Sequence, residues 1–269
     1  MKNLNEYINE SLLDDFDDLD KGIRDNFMQS IKDYMDEYYG PCEYTISDNP
    51  DKDGKYIVDV DGLLSHIKRT ATSLTNEYFK FGGVTGSFNI YQLKHLESLD
   101  GAPTYIEKSF DMCGCEKLTS LEGGPKEVGG SVDMHGCKNL KSLEGAPEKV
   151  RGNFDCSACE KLTSLEGAPK EVGNFYCNNC ENLKSLEGAP EKVGSFYCHD
   201  CNNLTSLEGA PKKVKRYFDC CDCENLKSLK GAPKEVGYDF DCVGCKKLKN
   251  LDYLPKKIGF KLYIPTHLQ

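Results

Sequence analysis

The 269-residue chain has no run of about 18 apolar residues, so nothing in it reads as a membrane span. It also lacks an excess of cations: 34 Lys plus Arg stand against 44 Asp plus Glu, a formal charge of −10. A nucleic-acid binder needs cations to replace phosphate counterions, and a polybasic anchor needs them for anionic lipid. The expectation is therefore no nucleic acid and no membrane. Residues 1–20 lack the charged-then-apolar layout of a secretory leader. Histidine is scarce, five residues in all. What the chain does have is 15 cysteines. In a reducing cytoplasm, where this reading places the chain, they are thiols or metal ligands rather than disulfides.

The charge is uneven. Residues 1–20 hold Lys2 against Glu6, Glu10, Asp14, Asp15, Asp17, Asp18 and Asp20. Leu4, Ile8, Leu12, Phe16 and Leu19 recur there at about helical spacing, which fits a solvated tail, a weak helix or a segment that orders on a partner. Residues 23–39 read more firmly as a helix, with Ile23, Phe27, Ile31, Tyr34, Met35 and Tyr38 in one stripe and Gly40-Pro41 as its stop. Tyr44-Thr45-Ile46 and Tyr56-Ile57-Val58-Asp59-Val60 read as strands around the turn-rich Asn49-Pro50-Asp51-Lys52-Asp53-Gly54. The expected organisation is an acidic flexible leader (1–20), a small α+β N-terminal cap (21–83) and a repeat solenoid (84–269), the cap covering the first open face of the repeats.

The repeat dominates. The pentapeptide Leu-Glu-Gly-Ala-Pro, or a near copy, recurs with its Gly at 101, 123, 145, 167, 188, 209 and 231, and Tyr253 takes that slot in the last copy. The steps of 22, 22, 22, 21, 21, 22 and 22 mark a solenoid. In the unit Val172 to Leu186, Phe175 and Cys177 alternate as on a strand with one buried face, and Cys180, Leu183 and Leu186 follow at intervals of three. This is the leucine-rich-repeat pattern in a cysteine form. The fold class is an α/β solenoid, a leucine-rich-repeat horseshoe of about nine short parallel strands centred near Asn89, Asp111, Asp133, Asp155, Tyr176, Tyr197, Asp219, Asp241 and Tyr263. At about 4.8 Å per strand the slab is about 38 Å long. The segment Glu187 to Val193 is too short for a helix, so the convex side is mostly non-helical, an extended or polyproline-like return.

Leu-Thr-Ser-Leu-Glu-Gly-Ala-Pro-Lys-Glu-Val resembles the short repeats of secreted bacterial effectors of the YopM and IpaH type, keeping the second of their two prolines but not the first. The likeness covers about residues 84–264 and implies a fold. Some of those effectors carry ubiquitin-ligase activity in a further C-terminal domain with a catalytic Cys; the chain stops at Gln269, and no ligase activity is carried over. The same runs, with the N-terminus Met1 to Glu10, also resemble leucine-rich-repeat proteins of tailed bacteriophages, which implies a viral origin and no established activity. That N-terminus further resembles capsid-targeting leaders cut after Leu/Ile-x-Glu, and Ile8-Asn9-Glu10 fits. The implied alternative is a virion or head-associated protein.

Five units carry Cys-x-x-Cys: Cys156/Cys159, Cys177/Cys180, Cys198/Cys201, Cys220/Cys223 and Cys242/Cys245. In isolation such pairs are zinc-ribbon ligands. Here the period forces the spacing, and Ile90, Met112, Met134 and Leu93 occupy the same slots in other units. A ligand site does not accept those residues, whereas a core does, with thiols as small hydrophobes that donate weakly to turn carbonyls. The expectation is a buried ladder with no cofactor; a zinc-binding structural repeat through those ten cysteines stays as an alternative. Cys113 and Cys221, one place past the buried position, are expected to face solvent.

The concave face is expected to present Asp111, Asp133, Asp155, Tyr176, Tyr197, Asp219 and Asp241, with His135 and His199 in the next column. Stacked Asp on adjacent strands repel, and Tyr is favoured at interfaces. The column therefore reads as a face for a basic or amide-rich protein segment, against the alternatives of a solvated sheet or a calcium site on the Asp row. Gly-rich phosphate loops are absent, the glycines belonging to repeat turns. His135 and His199 lie three units apart, about 14 Å at 4.8 Å per strand. A Cys113–His135 dyad on neighbouring units has no oxyanion donor beside it, so the chain reads as non-enzymatic. The overall expectation is a cytoplasmic, phage-encoded protein–protein interaction module whose partner is a protein, a host factor among the options.

Overall fold

The computed structural model describes residues 21–39, 42–65, 67, 69–75 and 79–269. The leader 1–20 with its Ile8-Asn9-Glu10 motif, Gly40-Pro41 and the side chains of Ile23 and Tyr38 lie outside the described set.

Helix α1 spans Lys21–Tyr39. Its apolar stripe buries Ile31, Met35 and Tyr39. Rings on that stripe meet rings on strands β2 (Tyr56–Asp61) and β3 (Phe79–Val84): Phe27 on Tyr56 at 5.3 Å, Tyr34 on Phe79 at 5.9 Å, Tyr39 on Phe81 at 5.1 Å. Strand β1 (Glu43–Ile46) pairs antiparallel with β2, and β2 pairs parallel with β3. β3 then pairs parallel with Tyr105–Ile106 of the repeats, so the N-terminal segment and the repeats share a sheet.

From there the chain is a parallel β-solenoid of about nine turns. One short strand per turn carries the expected columns: Phe88–Asn89, Phe110–Asp111, Val132–Asp133, Phe154–Asp155, the ends of Glu171–Tyr176 and Lys192–Tyr197, Phe218–Asp219, Phe240–Asp241 and Leu262–Tyr263. Each is in register with its neighbour, Asp111 opposite Asp133, Asp133 opposite Asp155, Tyr176 opposite Tyr197. The inward column stacks phenylalanines, with centroids 5.3 to 5.6 Å apart from Phe154 through Phe175, Phe196 and Phe218 to Phe240. Val132 interrupts that stack between Phe110 and Phe154. Each such ring pair contributes about 0.5–1.5 kcal/mol beyond its buried area. Leu183, Leu186, Leu204 and Leu207 and their counterparts fill the rest, buried in every unit but the last, where Leu251 is half-buried.

The return half of each unit is more ordered than its extended reading. It holds a second row of strands, among them Glu127–Val128, Lys149–Val150, Lys213–Val214 and Glu235–Val236, whose valines are buried. The change of period has its cause here. Three residues separate Val150 from Phe154, and the two strands stay apart; two residues separate Val172 from Phe175 and Val193 from Phe196, and the strands fuse into Glu171–Tyr176 and Lys192–Tyr197. The third residue acts as a bulge that interrupts pairing. The two 21-residue steps are the two units without it.

Candidate interaction face

The cysteines locate the inside. All ten members of the Cys-x-x-Cys pairs, with Cys115 and Cys137, are buried and free; Cys42, Cys113 and Cys221 are half-buried. Cys113 and Cys221 are thus more sheltered than their position past the strand suggested. The second column donates its thiols to carbonyls of the preceding unit: Cys180 to Cys156 O at 3.2 Å, Cys201 to Cys177 O at 3.0 Å, Cys245 to Cys220 O at 3.1 Å. The first column donates to the following unit, Cys156 to Tyr176 O and Cys220 to Asp241 O. Burial raises the thiols of Cys115 and Cys242 to about 12 and pushes those of Cys156, Cys177 and Cys198 well up; at Cys220, also well up, side-chain contact with Cys245 leads and burial follows. A thiolate, which a metal or a nucleophilic reaction requires, is strongly disfavoured there. Among the described residues no three His, Cys, Asp or Glu side chains are placed to hold one ion.

The columns facing away from that core are contiguous. Asn89, Asp111, Asp133, Asp155, Tyr176, Tyr197, Asp219, Asp241 and Tyr263 stand on successive strands in register. From Asp111 to Asp241 the members of this column are half-buried. The Tyr176 and Tyr197 rings stack at 4.9 Å and 3°. Burial, Tyr197 and Asp155 raise the Tyr176 hydroxyl against a weaker hydrogen bond with Asn174; burial raises the Asp133 carboxyl, opposed by the His135 N–H and helped in smaller measure by Asp155 and Asp111. His135 is exposed, and His199 is half-buried with Nδ1 2.9 Å from Asp200 Oδ2.

The aspartates also have a structural task that sequence reasoning missed. In each unit Oδ1 accepts the backbone N–H two residues on: Cys113 N to Asp111 at 3.0 Å, His135 N to Asp133 at 2.9 Å, Ser157 N to Asp155 at 2.8 Å, Cys221 N to Asp219 and Val243 N to Asp241 at 2.9 Å. Asn89 does the same for Tyr91 at 3.2 Å. These are Asx turns, which Asp and Asn make alike. The turn explains a short acceptor at this position; it does not explain charge.

The flanking outward column is structural over most of its length. Ser109 N donates to Ser87 Oγ, Ser131 N to Ser109 Oγ, Asn153 N to Ser131 Oγ, Asn174 N to Asn153 Oδ1 and Ser195 N to Asn174 Oδ1. Tyr217, Asp239 and Lys261 depart from that Ser/Asn pattern. Their departure was visible in the sequence but had no geometry attached to it. Tyr217 and Asp239, with Tyr197, Asp219, Asp241 and Tyr263, border a hollow of about 160 Å³.

Charge elsewhere on the repeats is balanced between neighbours. Nine Lys–Glu pairs join adjacent units among the described residues: Lys94–Glu116, Lys117–Glu97, Lys138–Glu160, Lys149–Glu127, Lys170–Glu191, Lys192–Glu171, Lys213–Glu235, Lys230–Glu208 and Lys246–Glu224. Each exposed pair is worth about 0–1 kcal/mol. The mixed-sign edge is thus an inter-unit ladder as well as a polar surface. None of Asp111, Asp133, Asp155, Asp219 and Asp241 belongs to an ion pair within that set. No described helix is long and apolar enough to cross a membrane. Comparison of the chain with protein-family models, with curated proteins and with solved structures gives no match in any of the three.

Proposed function

We propose that this chain is a non-catalytic binding protein of the leucine-rich-repeat kind, phage-encoded and cytoplasmic. In this reading the Asp/Tyr column lies on the concave side of a horseshoe and receives a basic or amide-rich segment of a protein partner, a host factor among the options. One observation carries the reading. Nine Glu residues of the repeats pair with Lys across unit boundaries, while among the described residues no cation pairs with the Asp row. Like charges opposite one another on adjacent strands are destabilising, and Asn at position 89 makes the same turn without charge. A row kept acidic against that cost fits a cationic partner, and the stacked Tyr176/Tyr197 pair supplies rigid contact area beside it.

The experiment is affinity capture from infected cells with the wild type, Asp133→Asn and Tyr176→Ala. Asn keeps the turn acceptor and removes the charge. The reading expects a partner that the wild type retains and both variants lose. Equal recovery by all three, with native circular dichroism, removes the face from consideration.

A further inference from the structure

Tyr197, Asp219, Asp241 and Tyr263 form one row across four strands by register. Long rings end the row and two short carboxylates lie between them, so the row has a trough. Tyr217 and Asp239 of the neighbouring column close its side, giving the hollow of about 160 Å³. Its border combines three phenol rings with three carboxylates.

Those carboxylates are partly used and not neutralised. Asp219 and Asp241 each hold one turn N–H, and Asp239 accepts Lys261 N at 3.0 Å. Asp219 also meets the Cys221 thiol. Among the described residues no Lys, Arg or His forms an ion pair with any of the three. Burial raises the Asp241 carboxyl, the turn hydrogen bond from Val243 N opposes it, and Asp219, Asp222 and Asp239 add to the rise in smaller measure. The rings give an independent sign. The chain's own Lys261 Nζ lies 6.0 Å from the Tyr263 centroid and 5.3 Å from that of Phe260, so a cation already sits over one ring of the border.

The mixture of walls selects the ligand. A bare metal ion takes a shell of oxygens and gains little from rings. An ammonium is compact and strongly hydrated. A guanidinium is planar and weakly hydrated; it stacks on aromatic faces and presents a donor fork to carboxylates. We propose that this hollow is an arginine subsite: it takes the guanidinium of an Arg side chain from a basic partner segment, stacked against the tyrosine border and hydrogen-bonded to Asp219 and Asp241. The proposal rests on the reading of the Asp/Tyr column as a partner face and names one residue type that the face takes.

The test is fluorescence anisotropy at low ionic strength with a fluorescein-labelled Gly-Arg-Gly-Arg-Gly peptide and its citrulline and Lys counterparts. Citrulline keeps the shape of Arg and removes its charge. The expected result is binding of the Arg peptide, at least about tenfold weaker binding of the citrulline peptide, and intermediate binding of the Lys peptide. Asp219→Asn and Asp241→Asn each weaken the Arg peptide about tenfold while keeping the turn acceptor, and Tyr263→Ala weakens it less. Glu144→Gln, at an exposed turn outside the Asp/Tyr column, leaves it unchanged. Equal binding of Arg and citrulline peptides overturns the subsite, as does absence of binding to the wild type at millimolar peptide. Loss on Asp133→Asn with Asp241→Asn silent also overturns the subsite but keeps the face. The partner-capture experiment with Tyr176→Ala judges the face separately.

Discussion

Two glycines in left-handed backbone test the coil geometry that sets the outward columns in register. Gly136 has φ +73° and Gly188 φ +88°. A Cβ on Gly136 meets nothing within 4 Å, and the equivalent slot in other units holds Gln92, Ala158, Asn179, Asp200 and Asp222, all at positive φ. Gly136→Ala therefore costs only the left-handed penalty, about 1 kcal/mol. A Cβ on Gly188 lies 2.4 Å from Glu166 N and from the backbone C and O of Leu165, in the turn of the preceding unit. The backbone strain and the overpacking there cost about 1–3 kcal/mol each, so Gly188→Ala loses about 2–6 kcal/mol. Urea unfolding followed by circular dichroism reads the difference. At a slope of about 3 kcal/mol/M the midpoint falls by about 0.3 M for Gly136→Ala and by about 0.7–2 M for Gly188→Ala. Equal shifts, or a larger one at Gly136, refute the close approach of successive turns at the Gly-Ala-Pro corner.

Asp133→Asn keeps the turn and removes repulsion from Asp111 and Asp155, so at pH 7 it stabilises the fold by about 0.5–1 kcal/mol. The folded-state pKa of Asp133 is raised, so its carboxylate costs stability above that pKa and the cost vanishes as pH falls through it; thermal melts of the two proteins converge at acid pH. Phe196→Ala removes a ring stacked on both Phe175 and Phe218 and costs about 3–5 kcal/mol in urea unfolding, whereas Leu262→Ala, in the 40% exposed last position of that column, costs less than about 1 kcal/mol. Cys201→Ala lowers stability by about 1–2 kcal/mol to the same extent with and without a chelator, because it removes buried volume and no ligand.

The inside of the coil was legible because its signals repeat. Phe and Cys at period two, Leu at intervals of three and Gly at the corners from Gly101 to Gly231 recur along the chain, and up to the last unit the structure buries those side chains and puts those glycines at positive φ. The second row of strands was not legible: pairs such as Glu127–Val128 are too short to show a period. The fusion of strands at Glu171–Tyr176 was encoded in a one-residue change of step whose position, between Val172 and Phe175, only the bulge explains. The face was half legible. The columns could be written down from the repeat, but not that Asp serves its own turn and makes no ion pair among the described residues. Nor could spacing show that Tyr217 and Asp239, which break a Ser/Asn ladder, stand beside Tyr197 and Asp241 around one hollow.

The account depends on sulfur being buried and protonated, which leaves aspartate and tyrosine to meet a partner. Titration of thiols with an aromatic disulfide reagent, in native buffer and in denaturant, with zinc release followed by a dye, tests this directly. Of the 15 thiols, 12 are buried and three half-buried. The predicted result is slow reaction of at most Cys42, Cys113 and Cys221 in the native protein, all 15 in denaturant, and no zinc. Fewer than 15 reactive thiols on unfolding, or zinc released in step with them, contradicts it.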